Sequence, residues 1–171
     1  MSMDGLTVII IATAILEAIL KWQWVGVYFR NGIPLFRKSF QFDRTPIIVP
    51  DDLSEEMRPR LKAPVLFHAI SIDETGFRGR MFRHFTWFSP APVSRGLIRL
   101  DHAERKVYVT GYANLFETVL TLTFLVNDLS VSRTSMDHIP FILFLGILAI
   151  GWRIQWNKFD KVFRMLEQKY S

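Results

Sequence analysis

Residues 6–29 read LTVIIIATAILEAILKWQWVGVYF, and this stretch decides how the rest of the chain is interpreted. As one continuous helix its 24 residues would be about 36 Å long, enough to cross the roughly 30 Å hydrocarbon core of a bilayer. Glu17 and Lys21 interrupt the apolar run and lie four residues apart, on one helix face. Trp22 and Trp24 stand near its carboxyl end, as in an interfacial aromatic belt. The stretch therefore predicts a transmembrane helix.

The composition agrees with that prediction. Half of the 171 residues are hydrophobic and the mean hydropathy is +0.19, although 22% of the residues are charged. The apolar residues must therefore be concentrated in segments, and the composition excludes a disordered chain. The formal net charge is +5. The absence of cysteine excludes disulfides, thiolate metal sites and cysteine nucleophiles.

Two further apolar segments follow in the second half of the chain. Residues 139–152, IPFILFLGILAIGW, predict a second membrane span, with Trp152, Arg153 and Trp156 at an interface. Residues 112–129 are ambiguous, because they would be barely long enough to cross as a helix and are rich enough in β-branched residues to form a buried strand. Glu117 is the main cost of the helical interpretation.

The distribution of basic residues favours three spans over two. Basic residues follow both the first and the last apolar segments, and only an odd number of spans puts both groups on one side of the membrane. Three spans would keep the region after residue 29 and the carboxyl-terminal tail in the cytoplasm. The alternative of two spans would leave residues 115–126 as a strand and export the polar region.

The polar region reads as mainly β-structure. The clearest hairpin has arms at residues 97–100 and 106–112 around the turn DHAER, and a second turn is predicted at residues 74–76. A short helix is expected near residues 52–62, where acidic residues precede basic ones in the order that a helix dipole favours.

The predicted fold class is therefore an α+β membrane protein. It combines three transmembrane helices, or two, with a small and mainly antiparallel β domain. Its expected segments are an amino-terminal span (1–29), the β-rich domain (30–111), a transmembrane hairpin whose first span is uncertain (112–155) and a basic amphipathic tail (156–171).

Signals of catalysis are weak. The four histidines are scattered, and no metal-binding, nucleotide-binding or nucleophile-elbow motif occurs in the sequence. We therefore expect a protein that is not an enzyme, with no catalytic and no metal-binding residues. The sequence does not identify a cofactor.

Candidate contact residues are of two kinds. Glu17 and Lys21 either neutralise each other or leave Glu17 to bond a partner helix or carry a proton. The second kind is aromatic and basic, on residues 77–88 and at the ends of the apolar segments, where such side chains contact lipid headgroups or a neighbouring protein. Residues 77–88 also fit an ordinary amphipathic strand with one packed face. The full set expected to contact a partner or lipid is Glu17, Lys21, Trp22, Trp24, Arg78, Arg80, Arg83, Trp87, Trp152, Arg153 and Trp156.

The favoured functional hypothesis is a non-catalytic accessory or structural subunit of a larger integral-membrane complex, one that serves in energy transduction for example. The alternative is a membrane-tethered module that binds anionic lipid or a cytosolic partner through Arg78, Arg80, Arg83 and Arg99. The expected partners are other integral-membrane subunits and the lipid bilayer, and not nucleic acid. The expected location is a bacterial inner membrane, cytoplasmic or intracytoplasmic, with the β domain and the tail in the cytoplasm.

Overall fold

The architecture comes from a computed structural model of the chain. It describes residues 3–43, 45–57, 65–79, 95–130 and 139–171. Five helices and five strands lie in these ranges. In chain order they are α1 (Met3–Trp22), α2 (Gly26–Arg30), β1 (Pro34–Gln41), α3 (Pro50–Met57), β2 (Val65–Ser71), β3 (Glu74–Gly79), β4 (Arg95–Asp101), β5 (Lys106–Tyr112), α4 (Leu115–Ser130) and α5 (Ile139–Tyr170).

The strands form one antiparallel sheet in the order β1-β5-β4-β3-β2. The hairpin expected around DHAER is present, with Leu97 opposite Thr110 and Asp101 opposite Lys106. The short helix expected near residues 52–62 begins earlier, at Pro50, and residues 58–62 lie outside the described ranges. The turn expected at residues 74–76 is wrong, because these residues begin β3 and the chain turns at Ile72 and Asp73.

One face of the sheet, here the inner face, packs against the second half of α5. Phe36, Phe77 and Phe159 are almost fully buried, and their rings meet edge to face. Val162 and Leu166 of α5, together with α3, complete this core. Each large apolar side chain contributes about 1.5–3 kcal/mol on burial, so the inner face is the main source of stability.

The opposite, outer face is partly covered by α2 and the end of α1. Tyr28 and Phe29 are buried there against Leu97, and Trp24 stacks on Phe29 with ring centroids 5.1 Å apart. The Trp24 backbone has φ 51°, a left-handed conformation that costs a residue other than glycine roughly 1–2 kcal/mol. It separates α1 from α2, so residues 6–29 are two helices and not the single predicted one.

The prediction of transmembrane helices is wrong. Among the helices in the described ranges, none combines the length and the apolar character required to cross a bilayer. The fold class of an α+β membrane protein, and the location in a bacterial inner membrane, are corrected by this finding. The fold observed is α+β, with a five-stranded antiparallel sheet.

The observed helices differ from the expected spans in the burial of their carboxylates and in their lengths. Glu17 of α1 and Glu117 of α4 are buried within the protein itself, so lipid does not solvate them. α4 confirms the helical interpretation of the ambiguous segment, but its 16 residues extend only about 24 Å. α5 is one helix of 32 residues, and the expected amphipathic tail is its second half, which packs on the sheet.

Candidate functional site

A buried charged cluster lies where α1, α2, α4 and β4 meet. Glu17 is only 3% exposed. Its Oε1 lies 2.5 Å from the Lys21 Nζ and accepts a hydrogen bond of 2.8 Å from the Tyr28 hydroxyl. Its Oε2 accepts a hydrogen bond from the backbone N–H of Phe116. The carboxylate therefore joins the end of α1 to both α2 and α4.

Arg95 brings the sheet into this cluster. Its guanidinium carbon lies 3.6 Å from the centre of the Tyr28 ring, and its Nη2 donates a hydrogen bond to the Ala113 carbonyl. Nε and Nη1 of Arg95 find no hydrogen-bond partner within the described ranges. Burial lowers the pKa of Arg95, and the charge of Glu17 opposes that shift.

Glu117 is the second buried carboxyl group of the cluster. It is 5% exposed, and its Oε2 finds no hydrogen-bond partner among the residues that the structure describes. Burial raises its pKa to about 7, with Lys21 acting in the opposite direction and Glu17 acting in the same one. Burial and the Glu17 carboxylate likewise raise the pKa of the Tyr28 hydroxyl. Glu117 therefore changes its protonation state near neutral pH, while the Tyr28 hydroxyl stays protonated.

The geometry offers no metal site in the described part of the chain, where no three carboxylate or histidine side chains lie close enough to share an ion. The role that fits the cluster is structural, because Glu17 of α1 accepts hydrogen bonds from α2 and from α4, and Arg95 of β4 packs on Tyr28 of α2. It fixes α1 and α4 against the sheet.

Several of the predicted contact residues come together beside this cluster. The Nη1 of Arg78 donates a hydrogen bond of 2.6 Å to the Lys21 carbonyl, and its guanidinium carbon lies 4.6 Å from the centre of the Trp24 ring and 6.0 Å from that of Trp22. Arg78 thus joins β3 to the end of α1. Arg80, Arg83 and Trp87 lie outside the described residues.

The predicted residues on α5 occupy a different place. Trp152 contacts Trp156 at a ring separation of 5.5 Å, and Trp156 packs edge to face on Phe36 at the inner face of the sheet. Arg153 is exposed. Of these residues, Trp156 connects α5 to the sheet core, and Trp152 packs on Trp156.

An exposed apolar layer lies on α1, α4 and the first half of α5, residues 139–154. We call it the helical layer. α4 contacts both of the other helices. Of the 24 large apolar side chains that are exposed in the described ranges, 18 lie on this layer. They are Val8, Ile9, Ile11, Ile15, Leu16, Ile19, Trp22, Leu115, Leu122, Leu125, Val126, Ile142, Leu143, Leu145, Ile147, Ile150, Trp152 and Ile154.

Sequence reasoning missed Arg95 and the part that Tyr28 plays. Successive side chains of a β-strand point to opposite faces of the sheet. Arg95 and Arg99 are four residues apart in β4 and therefore lie on the same face. That pattern alone predicts an exposed arginine, and only the covering helix α2 buries it. Comparison with known protein families, with curated proteins and with solved structures gives no match.

Proposed function

We propose that this chain is a non-catalytic assembly subunit, and that its helical layer docks onto apolar helices of a partner protein. The supporting observation is the concentration of exposed apolar side chains on the layer. A monomer rarely exposes contiguous apolar patches of more than a few hundred Å², and larger ones mark interaction surfaces.

The size of the layer suits a stable protein interface. A standard interface uses roughly 20–30 residues on each side, and the layer exposes 18 large apolar side chains. The sheet has a core of its own on the inner face. The apolar side chains of the layer are therefore not needed for that core and remain for a partner.

The partner surface should itself be apolar and helical. Residues 5–16, 118–127 and 139–152 contain no charged residue, so a charged partner surface would lose its hydration without gaining an ion pair. A β-carbon added at Gly146 on α5 would meet no atom within 4 Å. The open space beside this glycine leaves room for a side chain of a partner helix, as when the ridges of one helix enter the grooves of another.

The test is photo-crosslinking in cells of the organism that makes the protein. A benzophenone amino acid replaces Ile15 or Ile147, which are 56% and 58% exposed on the layer, and replaces Ile72 as the control. Ile72 is 98% exposed at the β2–β3 turn, which is not part of the layer. We expect both layer positions to give adducts with the same protein, and the control position to give none.

The adducts must also be mapped by peptide mass spectrometry. Crosslinks from both layer positions to an apolar helix of one partner support the proposal. Adducts with lipid alone, adducts with unrelated proteins at the two positions, or equal labelling from position 72 contradict it.

A further inference from the structure

A pocket of about 620 Å³ lies on the outer face of the sheet, beside the part that α2 covers. Its walls carry three arginines, Arg30, Arg37 and Arg99. Thr110, Tyr108 and Tyr112 of β5 also line it. The helical layer contributes none of its exposed apolar side chains to these walls, so the pocket is a separate feature.

The three carboxylates in the pocket already have partners. Glu74 binds the Nε of Arg30 at 2.6 Å. Glu104 binds Lys106 at 3.1 Å and accepts the Tyr108 hydroxyl. Asp101 accepts two backbone N–H groups of its own turn, at 3.1 Å each. Each of these acids therefore already accepts hydrogen bonds from a donor in the wall, in the adjacent turn or at the start of β5.

Arg37 and Arg99 differ from the carboxylates of the pocket in having no partner of opposite charge in the described ranges. Neither lies within ion-pair distance of a carboxylate in the ranges that the structure describes. Arg37 lies with its guanidinium carbon 5.4 Å from the centre of the Tyr108 ring, a contact that leaves its N–H donors available. A guanidinium group presents five such donors in a planar fork that matches a carboxylate or a phosphate.

The sheet register brings the two arginines to the same pocket. Arg37 of β1 is paired with Thr110 of β5, and Arg99 of β4 is paired with Tyr108 of β5. The two side chains thus rise from the strands on either side of β5. Burial raises the pKa of the Tyr112 hydroxyl, and the positive charges of Arg95, Arg37 and Arg99 all oppose that shift. The guanidinium groups of Arg37 and Arg99 are therefore both close enough to Tyr112, which forms one wall of the pocket, to affect its pKa.

From this geometry we infer that the pocket binds a small organic anion, whose carboxylate or phosphate group lies between Arg37 and Arg99. The Thr110 hydroxyl is positioned to add a hydrogen bond, and Tyr112 forms an apolar wall. This inference is independent of the partner-docking proposal, because the two use different surfaces.

The test is calorimetric titration of the full chain with inorganic phosphate and, separately, with citrate. The two probes distinguish a tetrahedral phosphate from planar carboxylates. We expect saturable binding of at least one of them, with one site per chain. Arg37→Gln and Arg99→Gln should each weaken that binding at least about tenfold, which is a loss of about 1.4 kcal/mol.

The matched control is Arg164→Gln, which removes the same charge from α5. Arg164 is 70% exposed on the helix that covers the inner face of the sheet. It should change the dissociation constant less than twofold. Arg37 and Arg99 are exposed, so their substitutions should leave the circular dichroism spectrum unchanged. Absence of saturable binding for both probes, or equal weakening by all three substitutions, would overturn the inference.

Discussion

The guanidinium carbon of Arg95 lies 3.6 Å from the centre of the Tyr28 ring, and the hydroxyl of the same tyrosine donates a hydrogen bond to Glu17. Tyr28 therefore contacts a cation with its ring and an anion with its hydroxyl. Arg95 belongs to the sheet and Glu17 to α1, so one side chain connects the β-structure to the helical layer. The orientation of the proposed docking surface depends on this connection.

Replacing Glu17 by alanine should strongly destabilise the fold. The substitution removes the acceptor of the Tyr28 and Phe116 hydrogen bonds and the carboxylate that pairs with Lys21. Removing one partner of a buried pair costs about 3 kcal/mol or more. Urea unfolding of the wild-type chain and of Glu17→Ala measures the difference.

The control for this substitution is Glu104→Ala. Glu104 also accepts bonds from a lysine and a tyrosine, Lys106 and Tyr108, but it is exposed to water. Its loss should leave the unfolding midpoint nearly unchanged, because exposed pairs contribute little. A similar loss of unfolding free energy from the two substitutions would contradict the claim that burial makes the Glu17 cluster important for stability.

The raised pKa of Glu117 predicts that stability falls as the pH rises. The pKa is about 7 in the folded chain and 4.5 in the reference state, so between these values the folded state holds a proton that the unfolded state has lost. Stability from this group is therefore fully present below about pH 4.5 and is lost as the pH rises to 7. The loss is about 3 kcal/mol.

Glu117→Gln isolates this contribution, because glutamine keeps the shape of the protonated acid at every pH. The free energy of unfolding of both chains is measured by urea denaturation from pH 4.5 to 8. We expect the difference between the variant and the wild type to grow in favour of the variant up to pH 7 and then to level off. A constant difference across this range would contradict the assigned pKa.

Gly96 of β4 tests the close packing of the inner core. A methyl group at this position would overlap the ring of Phe77 and the carbonyl oxygen of Thr110. Gly96→Ala should therefore cost about 2 kcal/mol or more, as overpacking does in other cores. Gly146→Ala is the matched control in open space, and it should stabilise α5 by up to about 1 kcal/mol. Thermal unfolding compares the two, and an equal effect of both substitutions would contradict the packing described.

The β-structure could be predicted largely from local pattern. The β4–β5 hairpin follows from two β-rich arms around a polar turn, and its register places Leu97 opposite Thr110 as such a turn requires. The turn expected at residues 74–76 failed because Gly76 is a strand residue. Its α-hydrogen faces the ring of Phe29 and the side chain of Ile70, where a larger side chain would collide. The α2 layer that imposes this packing has no local signature in β3.

The apolar helices show a different limit of sequence reasoning. Their hydrophobicity was read correctly, but hydrophobicity alone does not distinguish lipid from protein as the surroundings of a side chain. The pairing of Glu17 with Lys21 followed from their spacing of four residues and is present in the structure. The bonds from Tyr28 and Phe116 could not be predicted, because α2 and α4 reach Glu17 only through the tertiary fold.

The most direct test of the proposed function is Gly146→Leu, measured as the yield of the photo-crosslinked partner from position 15 on α1. The added side chain starts in open space on this chain, so the fold should tolerate it, but it fills the space that a side chain of the partner helix is proposed to occupy. We predict that the crosslinked yield falls at least about fivefold, a loss of roughly 1 kcal/mol. An unchanged or increased yield would contradict close docking, because an extra leucine strengthens any association that is driven by hydrophobicity alone.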